Sequence, residues 1–215
     1  SWLNQLCQSR VIAVIRTPCF EWGLPMARAV VAGGIQHVEI TWNSDRPAEL
    51  IQQLRQELPQ SLIGAGTLLT IDQVQTAIAA GAQYLFTPHV HPKLIHTAVA
   101  QDVPLVAGAL TPTEIVTAWQ AGATGVKIFP VQAVGGADYV RSLQGPLGHI
   151  PLIPTGGVTV QNTLEFLQAG AIAVGLSGDL FPPSAVQANH WDTITQRATT
   201  LLANLQQFVR SSQEK

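Results

Sequence analysis

Charge is scarce in this chain of 215 residues. Lys, Arg, Asp and Glu make up 11% of it and apolar residues 47%, against a charged share of about 25% in ordinary globular domains. Much of the surface must therefore be neutral or covered, which points to an oligomer. With a net charge of -2, a pI near 6.3 and no basic run, the chain carries no electrostatic footprint for nucleic acid or an acidic membrane. It has only two cysteines, Cys7 and Cys19, which form neither a Cys-x-x-Cys pair nor a disulfide framework. The expectation is a reduced, cytoplasmic protein in which both thiols serve as small apolar groups. No apolar run approaches the ~18 residues of a membrane span, and the N-terminus lacks the charged-then-apolar layout of a secretory signal. His89, His91 and His96 have no acidic partners at ligand spacing, so no metal is expected there.

What the chain does have is alternation. Short apolar runs recur at Val11 to Ile15, His37 to Thr41, Leu62 to Ala65, Tyr84 to Phe86, Pro104 to Ala107, Gly125 to Ile128, Pro151 to Ile153 and Ala173 to Gly175. Several are apolar almost throughout, as in parallel strands covered on both faces. Between them lie amphipathic stretches, such as Ile71, Val74, Ala77 and Ile78 on one helical face. Thr111-Pro112-Thr113-Glu114 reads as a capping box with proline at the first helical position, and Thr70 with Gln73 repeats the pattern. Helices end alike in Val31-Ala32-Gly33-Gly34, Ala80-Gly81-Ala82, Ala121-Gly122-Ala123 and Ala169-Gly170-Ala171, at intervals of about 41 to 48 residues, or two strand-plus-helix units. Eight strands in 215 residues, with no glycine-rich dinucleotide turn after the first, favour a closed (β/α)8 TIM barrel over an open doubly wound sheet. A short helix at Trp2 to Ser9 would precede it and a closing helix at Asn189 to Ser211 complete it, in a single domain over residues 1–215.

In such a barrel the chemistry gathers at the C-terminal strand ends. In Gly125-Val126-Lys127-Ile128-Phe129-Pro130 the strand period sends Val126 and Ile128 one way and Lys127 with Phe129 the other, and Pro130 ends the strand. These residues alone allow Lys127 to be either a snorkelling rim lysine or an amine desolvated by Val126, Ile128 and Phe129, able to form a Schiff base. Glu39 faces inward between outward Val38 and Ile40. It is either a general acid/base or one half of a satisfied ion pair with Lys127. Gly64-Ala65-Gly66-Thr67 removes bulk near a hydroxyl. Pro154-Thr155-Gly156-Gly157, before a helix capped by Thr159, and Gly175-Leu176-Ser177-Gly178-Asp179 occupy the loops where barrels hold phosphate. Arg16, closing the first strand, is either an anion ligand or a rim arginine.

Val38-Glu39-Ile40-Thr41, Gly64-Ala65-Gly66-Thr67, Lys127-Ile128-Phe129-Pro130 and Pro154-Thr155-Gly156-Gly157 resemble, in this order, the motifs of the class I aldolases acting on 2-keto-3-deoxy-6-phosphogluconate (KDPG) and 4-hydroxy-2-oxoglutarate (KHG). The resemblance covers about residues 11 to 182. It implies that Lys127 forms the imine and Glu39 shuttles protons, while Thr67 and the strand 2 end at Thr41 hold the keto-acid carboxylate. Phe129 would line the pocket and Pro88 sit near the pyruvyl part. Thr155, Gly156, Gly157 and Ser177 would hold the distal phosphate or carboxylate. It further implies a 2-keto acid substrate, a homotrimer and no cofactor. Asn43 stands where phosphogluconate-type enzymes carry an arginine. A branch acting on the 6-phosphogalactonate epimer has asparagine there and an arginine at the end of strand 1, as Arg16 is here, but lacks the threonine of Thr155-Gly156-Gly157.

Overall fold

The computed structural model describes residues 1–213. Helix α1 (Trp2–Ser9) leads into β1 (Val11–Ile15), α2 (Phe20–Ala32), β2 (His37–Thr41), α3 (Pro47–Glu57), β3 (Leu62–Gly66), α4 (Ile71–Ala79) and β4 (Leu85–Phe86). The second half runs α5 (Pro92–Val99), β5 (Leu105–Ala109), α6 (Pro112–Gln120), β6 (Gly125–Ile128), α7 (Gly136–Leu147), β7 (Leu152–Pro154), α8 (Thr163–Gln168), β8 (Val174–Leu176), α9 (Pro183–Gln187) and α10 (Trp191–Gln213), with a 3-10 turn at Val131–Val134. All strand pairs are parallel, in the order β7-β6-β5-β4-β3-β2-β1-β8. The ring closes between its two ends where Thr155 bridges Gly175 and the Ile172 N–H donates to the Leu152 carbonyl. The fold is the expected (β/α)8 TIM barrel with a short N-terminal helix.

Strand alternation divides the core in two. Outward positions such as Val11, Ala13, Val38, Ile40, Ile63, Val126, Ile128 and Leu176 pack under the helices. Inward Ile12, Val14, Tyr84, Phe86, Val106, Ile153 and Ala173 form a separate cluster with Trp2 and Leu6, so α1 plugs the N-terminal end of the barrel. The same phase turns His37, Glu39 and Thr41 of β2 and Lys127 of β6 into the interior, all buried.

The Thr111–Glu114 capping box and the Thr70 cap form as read from the sequence. Gly34, Gly81, Gly122 and Gly170 take the left-handed conformation, whereas Gly33 stays right-handed. Thr159 does not cap α8 directly. Its hydroxyl accepts from Asn162 N–H while Asn162 Oδ1 accepts from Thr159 N–H, so the helix starts a turn later. The closing helix likewise starts at Trp191, because Asn189 sits at φ 55 and ends the unexpected α9 instead.

Candidate active site

Lys127 is only 6% and Glu39 1% exposed, yet they do not close a direct salt bridge. The Lys127 Nζ lies 4.8 Å from the centre of the Phe129 ring and 5.9 Å from that of Phe86. Desolvation therefore comes from Phe129 and Phe86. Val126 and Ile128, expected to share that task, face the helices. Burial pushes the Lys127 pKa below its ordinary value; Glu39 pulls it back up and Arg16 presses it further down. Burial raises the Glu39 pKa, against the opposing pull of Lys127 and Arg16. Both groups are thus biased toward their uncharged forms, which for the lysine is the nucleophile.

Glycine makes room for these side chains. A Cβ at Gly66 would fall 1.7 Å from Glu39 Oε1, so the carboxyl lies across the inner face of β3. A Cβ at Gly108, in register with Lys127, would meet the Pro88 backbone at 2.3 Å, which brings the half-buried Pro88 beside the lysine strand. Thr67, next after β3, holds a left-handed φ of 59 without being glycine. Such strain at a barrel mouth is a feature of sites held in place by their surroundings. Thr41 is buried, its Oγ1 3.2 Å from Ser44 Oγ, which accepts from Thr17 N–H and stitches the β1 and β2 loops together.

Beyond β7, Gly156 and Gly157 take φ 86 and 90, and Cβ atoms there would meet the Phe129 ring at 3.2 Å and Gln132 at 2.4 Å. The glycine turn is folded onto the segment that follows Lys127. Thr155 is buried, its Oγ1 placed over Gly175. Arg16 is exposed and lines a cavity of about 310 Å³ with Thr17, Trp22, Ser177, Gly178 and Phe181. Arg16 thus shares this cavity with Ser177, while its charge also reaches Glu39 and Lys127. His89 and His91 pack edge to face at 5.9 Å, and among the described residues no three metal-ligating side chains converge.

Three contributors escaped the sequence reading. Asp179 accepts from Val160 N–H and from Arg197 of α10, tying together the loops after β7 and β8. Its position in the quoted last loop was the available signal. His37 and Tyr84 share the inward phase of Glu39 and Phe86, so carrying the alternation further would have placed both inside.

The profile of the KDPG and KHG aldolase family matches residues 3–197. A 2-dehydro-3-deoxy-phosphogluconate aldolase of Treponema pallidum is 33% identical over 86% of this chain and 89% of its own. A KHG/KDPG aldolase of Escherichia coli is 31% identical over 87% and 88%. The crystal structure of a KDPG aldolase from Legionella pneumophila, with pyruvate captured as a covalent carbinolamine, superposes with a TM-score of 0.87 at 29% identity over 94% of this chain and 98% of that one. With a buried lysine and glutamate at the mouth of a closed eight-stranded barrel and this agreement along nearly its whole length, the chain belongs to the KDPG and KHG aldolase family.

Proposed function

We propose that the protein is a class I aldolase that cleaves a 2-keto-4-hydroxy acid, 2-dehydro-3-deoxy-6-phosphogluconate or 4-hydroxy-2-oxoglutarate, to pyruvate and glyceraldehyde 3-phosphate or glyoxylate. The observation that carries this reading is the desolvated Lys127 amine beside an equally desolvated Glu39 with no salt bridge between them. Neutral Lys127 attacks the C2 carbonyl. Glu39 protonates the departing hydroxyl, so that water leaves and a protonated imine remains. The Glu39 carboxylate then takes the C4 hydroxyl proton, the C3–C4 bond breaks, its electron pair flows into the imine, and the aldehyde departs from a pyruvate enamine. Protonation at C3 and hydrolysis release pyruvate and restore the amine.

Thr67 and the β2 end at Thr41 hold the carboxylate, Pro88 and Phe129 flank the pyruvyl part, and Thr155 to Gly157 with Ser177 receive the distal anion. Arg16, sharing a cavity with Ser177, joins that distal end. Arg16 together with Asn43 also keeps the 6-phosphogalactonate epimer as a competing substrate. The reaction needs no cofactor and runs in the cytoplasm, with the phosphorylated substrate in the Entner–Doudoroff route. The working form is a homotrimer, an assignment that the low charge and the exposed Leu69, Ile71, Val99 and Trp119 support.

Pyruvate release coupled to lactate dehydrogenase tests the reaction on both phosphorylated epimers and on hydroxyoxoglutarate. Lys127→Arg is expected to lower turnover by at least about a thousandfold, since guanidinium cannot supply a neutral amine. Turnover retained in that variant, or no pyruvate from any of the three compounds, would sink the reading.

A further inference from the structure

Trp2 Nε1, His37 Nε2, Glu39 Oε1 and Tyr84 Oη are buried side-chain atoms for which the described residues supply no hydrogen-bond partner. The four residues are 8%, 1%, 1% and 0% exposed. A buried polar atom left unpaired is costly, so four together would weigh heavily against the marginal stability of a domain. They are also not scattered. The Trp2 and Tyr84 rings stack at 4.9 Å, His37 stands 6.2 Å from Trp2 and 6.0 Å from Tyr84, and all three fill the barrel below Glu39. The inner face of β3 carries the last link. The Tyr84 ring occupies the space over Gly64 and the Glu39 carboxyl that over Gly66, so both lie over the same face of β3 with no hydrogen bond between phenol and carboxyl.

We propose that the lower half of the barrel binds buried water among Trp2 Nε1, His37 Nε2, Tyr84 Oη and Glu39 Oε1, and that Tyr84 acts through this water as a positioning residue for the Glu39 carboxyl. The donor and acceptor chemistry is complementary. The indole N–H only donates, a carboxylate oxygen only accepts, and the phenol does both. Burial and the nearby Glu39 charge hold the phenol protonated, hence a donor. His37 Nε2 completes the set, its Nδ1 being already engaged 3.0 Å from Ser9 Oγ. Buried water with two to four such partners is ordinary in proteins. Ser9, which holds His37 Nδ1, also lines a cavity of about 610 Å³ at the N-terminal end of the barrel, with Gln5, Gln8, Arg10 and Gln36. The groups that face Glu39 are Lys127 from β6, Arg16 after β1, Tyr84 just before β4 and, further down its own strand, His37. Tyr84 is the one among them that supplies a neutral hydroxyl.

The kinetic half of the test rests on the role of Glu39 proposed above; the structural half does not. A high-resolution crystal structure of the wild-type enzyme should show ordered solvent within about 3.2 Å of both Tyr84 Oη and Glu39 Oε1, and Tyr84→Phe should lose it. In the pyruvate-release assay, Tyr84→Phe should lower kcat about five- to tenfold, the worth of one ordinary hydrogen bond. It should also move the acid limb of kcat/KM to higher pH and leave KM unchanged. A dry column in the wild-type structure, or a Tyr84→Phe enzyme that is more heat-stable with an unchanged pH profile, overturns the proposal. If the wild-type enzyme releases no pyruvate at all, the reaction assignment fails, and the solvent density alone decides this one.

Discussion

The residues at the centre of this barrel are set by what surrounds them more than by what they are. A lysine with an aromatic on two sides and a glutamate folded over a glycine are both held away from water, and each loses charge preference for that reason. His37, two residues before Glu39 on the same inner face, shows the same physics in a form that can be measured. Burial pushes its pKa down from 6.5 to about 4. The unfolded chain then takes up a proton between these values that the folded chain refuses. The stability His37 contributes is complete above pH 6.5 and disappears as pH falls toward 4, by at most about 3 kcal/mol. Glu39, with its raised pKa, works in the opposite sense, its contribution fading as pH rises. Comparing His37→Leu with wild type isolates the imidazole. Thermal unfolding from pH 7 to 4 should show the two curves converging or crossing on the acid side, and parallel curves would refute the assignment.

At the scale of elements, the loops after β7 and β8 are fastened by one carboxylate. Asp179 receives Val160 N–H at 2.8 Å and Arg197 NH2 at 2.7 Å, while Arg197 also donates to the Asp179 carbonyl. The pair is partly buried, with side chains 32% and 23% exposed. Asp179→Asn should cost about 1–2 kcal/mol in chemical denaturation and raise KM for phosphorylated substrate with little change in kcat, because Ser177 is carried on that loop. An unchanged KM would show that the tie does not position the anion site. The contrast in legibility is instructive here. Lys127, Glu39 and the Gly156-Gly157 turn could be read from strand period and φ demand, both local properties. Asp179 could not be assigned, since its partners lie 19 and 18 positions away, and Thr159 does not cap α8 as expected because it pairs reciprocally with Asn162, one turn before the helix. The Val31-Ala32-Gly33-Gly34 end left open which of its two glycines is left-handed, and it is Gly34.

For the molecule as a whole, the alternation of apolar runs and helical faces was enough to give eight strands and closure, because parallel strands covered on both sides leave little freedom of arrangement. The interior column of Trp2, His37 and Tyr84 stayed hidden, since it joins residues from α1, β2 and the approach to β4 whose meeting follows only from the curvature of the barrel. Few charges and exposed Leu69, Ile71, Val99 and Trp119 leave apolar surface for contact between copies. Light scattering on the eluting protein should return three times 22.9 kDa, and a monomer mass would contradict the trimer. The most direct measurement of the central claim uses the intact chain. Incubated with pyruvate and reduced with borohydride, it should gain a single reduced pyruvyl adduct that peptide mapping places on Lys127 and that Lys127→Arg abolishes. An unmodified chain, or an adduct on another lysine, would contradict the account.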